Sequence, residues 1–487
     1  MSASTERKNR AAAIAAGTDK KTLAAKEAEE KARKSKRKWI IGTIAVVLCI
    51  ALILFLSSPI MYRITTAETV GSQNYSPAEL NYIRASSKST LSGYGYDNIV
   101  SYFGQETADQ LLESDVNSKL TRNAALANYA SEQGIRLTAA EKSAIADAAK
   151  TQMQYLREGA KTNGVSLSTY MSYVLGAGVN ESVIRSCMEE SNLASKALYS
   201  KFVELSFSPE ELAAYYETPA DGDLFTYASY LVTSEEGADP AEAKTAAEAL
   251  VASFQDGYDG ESDLVTAFND LLAEDFPEAS ATERTNILGS DLEEGLRDWL
   301  VDESREAGDI TAIESDNGWT VVLFQERSDN SQETAAVRHI LIMAEADEDG
   351  NYTDEAKAAA KAKAEQILAD FQAGEQTEAA FALLAGLYSD DSGSSGAGGL
   401  YTGIEPGQMV PEFDEFCFAD HEYGDTGIVY GDNGGYAGYH IMYYVGKMAG
   451  RDANALDKLR GDALNEWLTE LTQGVESTTR WAYKLVG

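Results

Sequence analysis

Histidine and cysteine are both scarce in this chain of 487 residues, with three of each, and basic side chains are outnumbered by acidic ones, 40 to 78. Few cysteines leave little covalent chemistry. Cys49 lies inside an apolar run, so a single disulfide could join only Cys187 and Cys417, and sequence does not decide whether they pair. No Ser/His/Asp arrangement and no zinc-ligand spacing appears, which removes the protease readings. A net charge of −38 repels phosphate and excludes nucleic acid as a partner. Solubility is a sufficient account of so acidic a surface.

The charge is unevenly spread. Residues 1–38 hold 12 Lys and Arg against 5 Asp and Glu, whereas the rest of the chain holds 28 against 73. Between the basic tail and the acidic body, Trp39 to Tyr62 carries a single stretch without charge, rich in Ile, Leu and Val. Crossing a bilayer takes about 20 helical residues, so residues 39–62 are predicted to be a transmembrane helix. The basic flank from Lys31 to Lys38 places the tail in the cytoplasm and the body outside. A cleaved signal peptide is the alternative, although the apolar run is long for one. The expected localisation is therefore a cell membrane, single-pass, with the C-terminal body extracytoplasmic.

From residue 65 to 222 the pattern is helical. Ser76-Pro77-Ala78-Glu79, Thr138-Ala139-Ala140-Glu141 and Ser208-Pro209-Glu210-Glu211 each set a hydroxyl cap three residues before a carboxylate. Gly134-Ile135 reads as a helix stop. Residues 223–330 contain Tyr227-Ala228-Ser229-Tyr230-Leu231-Val232 and Gly318-Trp319-Thr320-Val321-Val322, two short apolar runs. They parallel Val337-Arg338-His339-Ile340-Leu341-Ile342 and Gly438-Tyr439-His440-Ile441-Met442 in the segment that follows, residues 331–447. Two of the three histidines thus sit in matching strands that frame one segment. Between them, Ala360, Ala364, Ile367, Leu368 and Phe371 recur at helical spacing. The third, His421, lies in an acidic loop and is expected to be solvated. Residues 448–487 form an amphipathic helix with Leu456, Leu459, Trp467, Leu468 and Leu471 on one face.

The segment from Arg338-His339-Ile340-Leu341 through Tyr388-Ser389-Asp390-Asp391-Ser392-Gly393-Ser394, Gly398-Gly399, Gln408-Met409-Val410-Pro411-Glu412-Phe413, Phe418 and Gly438-Tyr439-His440-Ile441 resembles the parvulin-type peptidyl-prolyl isomerases. The helical region is similar to the N-terminal chaperone domain of extracytoplasmic foldases of the SurA and PrsA type. After the basic tail (1–38) and membrane helix (39–62) read from charge and hydropathy, the resemblance implies an α+β multidomain protein: a helical chaperone domain (65–222), a degenerate parvulin-like domain (223–330), a parvulin domain (331–447) and a C-terminal helix (448–487) that returns to the chaperone domain. For residues 65–222 a plain helical spacer is the alternative, for residues 223–330 an unrelated strand-helix-strand unit, and for the last helix a dimer contact.

Rotation about a peptide bond is opposed by about 18–20 kcal/mol, and bonds before proline exchange slowly enough to limit folding. Catalysis needs no cofactor and no metal, only a grip on the proline ring and polar groups that favour the twisted amide. The resemblance assigns His339, Asp391 and His440 to catalysis and Met409, Phe413 and Phe418 to the proline pocket. A third ligand that would make the two histidines a metal site is missing. The chain departs from the family where the usual Gly-Gly-Asp-Leu-Gly reads Gly398-Gly399-Leu400-Tyr401, where Ala437 replaces a hydroxyl residue, and where Gly431 to Tyr436 forms an insertion beside the site. The expected partners are unfolded or secreted proline-containing polypeptides. A non-catalytic chaperone or peptide-binding scaffold is the rival reading.

Overall fold

Local capping chemistry sets the helix starts in the computed structural model, which describes residues 3–56, 58–93, 95–233, 240–276 and 279–487. All three capping boxes close: the amides of Ser76, Thr138 and Ser208 donate to Glu79, Glu141 and Glu211 at 2.8, 2.7 and 2.8 Å, and the cap hydroxyls accept in return. At the far end of helix Gln105–Gln133, Gly134 adopts φ +72° and Ile135 donates its amide to Ala130 O at 2.8 Å, the Schellman stop that a glycine permits.

By its internal contacts the chain divides into two units, one of residues 1–119, 152–187 and 476–487, the other of residues 120–151 and 188–475. The first contains the N-terminal helices and a small antiparallel sheet in which β1 (Glu68–Val70) pairs with β2 (Gln73–Tyr75) on one side and with a strand from the end of the chain on the other. The apolar run is not one helix. Helix Lys20–Leu56 stops at Leu56 and a new helix opens at Pro59, where proline supplies no amide to continue the ladder. Within that second helix Met61 is buried, so the predicted span 39–62 reaches too far at its C-terminal end. Among the described residues no helix is long and apolar enough to cross a membrane. The side chains of residues 51–54 and 56–57, which belong to the predicted span, lie outside those described.

The second unit holds two four-stranded antiparallel sheets. In the first, β3 (Leu224–Val232), β4 (Thr282–Leu288), β5 (Ile310–Ser315) and β6 (Gly318–Ser328) lie in the order β4-β3-β6-β5. In the next, β7 (Glu333–Met343), β8 (Leu400–Ile404), β9 (Thr426–Asp432) and β10 (Ala437–Ala449) lie in the order β8-β7-β10-β9. Among the described residues, two α-helices lie between the first two strands of each sheet and one between its second and third. The match extends to register. His440 pairs with Leu341 and Met442 with His339, just as Thr320 pairs with Leu231 and Val322 with Ser229.

Strand periodicity sorts the second sheet into two faces. Ile340, Ile342, Ile441 and Tyr443 pack under helices Asp354–Gln372 and Glu378–Tyr388 through Ala360, Ala364, Ile367, Phe371 and Phe381. Ala335, Val337, Met442 and Tyr444 face the other way, toward Phe413, Phe416 and Cys417 of helix Pro411–Phe418. The C-terminal helix Gly450–Thr472 lays Trp467, Leu468 and Leu471 against Leu126, Ala130, Ala194 and Ala197, so its apolar face is used within the chain. The strand that completes the small sheet follows it, β11 (Ser477–Thr479). Buried Lys196 holds helix Glu181–Glu204 to its neighbours through Glu141 at 2.8 Å and Glu375 at 2.7 Å.

Candidate active site

Because side chains alternate along a strand, His339 shares a face with Ala335 and Val337, and His440 shares it with Met442 and Tyr444. Adjacent pairing of β7 with β10 then brings the two rings together. Their Nδ1 atoms are 3.1 Å apart, both rings are buried, and Phe413 stands edge-on to each, with ring centres 5.4 and 5.2 Å away.

The remaining ring nitrogens also find partners. His339 Nε2 lies 2.9 Å from Asp391 Oδ2 and 3.0 Å from Ser394 Oγ, and the Tyr436 hydroxyl lies 2.9 Å from His440 Nε2. Ser394 and Tyr401 both donate their hydroxyls to Asp391 Oδ2, Tyr401 at 3.1 Å, and the Gly393 amide donates to Oδ1 at 3.0 Å. A carboxylate only accepts, so His339 Nε2 carries hydrogen and, in the neutral pair, His339 Nδ1 accepts from His440 Nδ1. His440 Nε2 is then left to accept from Tyr436. The result is a one-way chain: Tyr436 to His440 to His339 to Asp391.

Backbone contacts set Asp391 in place. Following helix Glu378–Tyr388, Ser389 Oγ accepts the Leu341 amide at 3.1 Å, Asp390 donates its amide to Leu341 O at 2.8 Å, and Asp390 Oδ2 accepts the Met343 amide at 2.9 Å. This row along β7 delivers the next carboxylate to His339. The loop then returns through Gly398 and Gly399, both at φ near +70°, and Gly399 O accepts the His339 amide at 2.8 Å. A side chain at Gly399 would collide with the His339 carbonyl and one at Gly398 with Ala382, which is why two glycines stand there. On the opposite face of β7, Arg338 donates to the carbonyls of Ala397 and Gly398 at 2.9 and 3.0 Å and pairs with buried Glu378 at 2.8 Å. Its guanidinium also lies 5.8 Å from the ring centres of both Tyr199 and Phe202.

Electrostatics follow from these contacts. The hydrogen bond from His339, joined by those from Ser394 and the Gly393 amide, holds the Asp391 carboxyl well below the usual carboxylate range against the opposing effect of partial burial. Burial, reinforced by neighbouring His339, pushes His440 down to about 3. Burial and then the Asp391 charge raise Tyr401, and burial followed by Asp391 and Asp432 raises Tyr436, so both hydroxyls stay protonated donors.

Of the sequence-predicted residues, the structure brings together His339, Asp391, His440 and Phe413. Met409 and Phe418 are half-buried at the edge of the same apolar cluster, Phe418 beneath the ammonium of Lys447, whose Nζ is 5.9 Å from its ring centre. Ser394, Tyr401 and Tyr436 were not singled out by sequence, although each lay in a stretch noted for glycine, for a departed signature or for an insertion. His421 is no solvated bystander: its ring centre is 4.3 Å from that of Phe416, and Nδ1 is 3.5 Å from Asp425. The three cysteines are free thiols.

Residues 320–443 match the model of the PPIC-type PPIase domain. The chain carries a parvulin-type domain and is SurA-like. It is 28% identical over 298 residues to Chaperone SurA of Alkalilimnicola ehrlichii, covering 58% of this chain and 64% of that protein. Over 97 residues it is 41% identical to Chaperone SurA of Hahella chejuensis, 20% of either chain. It therefore spans less than two thirds of the length of these relatives. The parvulin match ends within β10, three residues beyond His440, and takes in every member of the hydrogen-bonded chain.

The direction of the His440 shift fixes a pH dependence. With the folded value near 3 and an ordinary value of 6.5, the unfolded state binds the extra proton between those limits. This contribution to stability is complete above pH 6.5 and is lost as the pH falls toward 3. Urea unfolding at a series of pH values should show wild type losing stability more steeply than His440→Phe between pH 6 and 4, by about 1.4 kcal/mol per pH unit. Parallel slopes would contradict the buried neutral imidazole.

Proposed function

We propose that the chain is an extracytoplasmic foldase whose parvulin domain catalyses cis-trans isomerisation of X-Pro bonds, while its helical parts hold the unfolded polypeptide. The observation that carries this reading is the pair of buried, mutually hydrogen-bonded imidazoles with Phe413 edge-on to both. An amide twisted out of plane loses its resonance, and its nitrogen regains a lone pair that accepts a hydrogen bond. Groups held rigidly beside the substrate stabilise that geometry over the planar one without reorganising. His339, Asp391 and His440 supply the fixed polar floor, while Met409, Phe413 and Phe418 grip the proline ring.

The common strand order and register of the two sheets support reading residues 223–330 as a degenerate parvulin-like domain, with Ser229 and Thr320 where His339 and His440 stand. Hydroxyls at those positions cannot form the imidazole pair, so catalysis falls to the later domain. On a proline-containing peptide the full chain should accelerate isomerisation, with kcat/KM falling about tenfold or more in His440→Ala and in Met409→Ala. A wild type no faster than either variant, yet still suppressing aggregation of an unfolded protein, would leave only the peptide-holding scaffold.

We infer also that the chain is membrane-anchored through the uncharged apolar stretch that opens at Trp39 and ends short of Pro59, with the basic tail cytoplasmic. Support comes from the apolar side chains that helix Lys20–Leu56 leaves uncovered, such as Trp39 at 74% and Leu48 at 63% exposure, next to the basic flank. The full chain should stay with membranes through alkaline extraction. Release into the supernatant would remove the anchor.

A further inference from the structure

The six residues from Gly431 to Tyr436 take in the end of β9 and the turn into β10, and their geometry serves the imidazole pair. Asn433 Oδ1 accepts the amides of Gly435 and Tyr436 at 2.9 and 3.2 Å, Asp432 Oδ1 accepts that of Gly434 at 3.0 Å, and the Tyr352 hydroxyl donates to Gly435 O at 3.0 Å. The turn is thus fixed from within and from outside. Its last residue, Tyr436, lies four positions before His440 and reaches back to Nε2.

A second observation is independent of that hydrogen bond. Gly431 lies in extended β9, opposite Gly438, without a left-handed φ, so its backbone does not demand glycine. Space does. A Cβ there would fall 2.5 Å from His440 Nε2 and 2.8 Å from the Tyr436 hydroxyl. The missing side chain leaves room for the meeting of those two groups.

We propose that Tyr436 is a positioning residue of the isomerase site, whose hydroxyl holds His440 in the Nδ1–H tautomer so that the whole chain runs toward Asp391, with Gly431 keeping the space for it. The proposal rests on the isomerase reading for its effect on rate but not for its effect on the ring. If the Tyr436 hydroxyl is removed, Nε2 loses its donor, and the Nε2–H tautomer, which cannot donate to His339 Nδ1, becomes accessible. Because Tyr436 acts through His440, substrate affinity should be spared.

The test uses Tyr436→Phe and Gly431→Ala in the full chain. Steady-state isomerisation of a proline peptide should show kcat lowered about tenfold in both variants, roughly the loss of one buried hydrogen bond, with KM changed less than about twofold. Imidazole 15N shifts should report protonated Nδ1 at His440 in wild type and a mixture of tautomers in both variants. Gly431→Ala keeps the tyrosine but crowds both its hydroxyl and His440 Nε2, so Tyr436→Phe, which removes one atom and adds none, is the decisive variant. An active wild type whose variants keep both kcat and the tautomer would overturn the proposal and leave the isomerase reading intact. If wild type has no activity above His440→Ala, the isomerase reading fails, and the 15N spectra alone decide whether Tyr436 sets the tautomer.

Discussion

Four imidazole nitrogens have to be satisfied in a place that water barely reaches. A buried polar atom left without a partner costs about 1–3 kcal/mol, so a pair of buried histidines is tolerable only when every ring position is met. Here two positions meet each other, one meets Asp391 and Ser394, and one meets Tyr436. Because the carboxylate can only accept, it fixes the direction of every bond behind it. Protonation of His440 is opposed by burial first and then by neighbouring His339, which together outweigh the pull of the Asp391 carboxylate.

The dipeptide Arg338-His339 explains how the arrangement is kept rigid. Neighbouring strand residues point to opposite faces, so Arg338 holds the glycine loop from one side through the carbonyls of Ala397 and Gly398, while His339 holds it from the other through Ser394 and the Gly399 carbonyl. Arg338 is almost wholly buried and is compensated by Glu378, which also accepts the Tyr423 hydroxyl at 2.8 Å. Such a pair adds little net stability but is costly to break, and here breaking it frees the loop that carries Ser394. The helix Glu181–Glu204 reaches the same place, through Tyr199 and Phe202 against Arg338, so the loop is braced by a helix from outside the sheet.

Patterns of short range were legible in the sequence. The capping boxes, the Gly134 stop and the alternation that places His339 and His440 on one face each depend on a few consecutive residues. The resemblance added the order of motifs and the assignment of Asp391. What escaped was the set of hydroxyls that complete the site. Ser394, Tyr401 and Tyr436 are polar residues in loops or at strand starts, where solvent is the ordinary partner, and only the fold shows that they meet Asp391 and His440. Tyr401 is instructive: at a position where the family signature is lost, it gives Asp391 a donor. His421 misled because its acidic neighbours suggested solvent, whereas Phe416 and Tyr444 cover its ring. The end of the apolar run misled because composition continues smoothly through Pro59 while helical hydrogen bonding does not.

The two imidazoles share one hydrogen between their Nδ1 atoms, in a chain that runs in one direction toward Asp391. Scalar coupling between 15N nuclei across an N–H···N bond reads this directly in uniformly labelled protein. A resolved coupling is expected between the Nδ1 atoms of His440 and His339, with the hydrogen bonded covalently to His440. Absence of that coupling, or a hydrogen found on His339 Nδ1 at neutral pH, would contradict it.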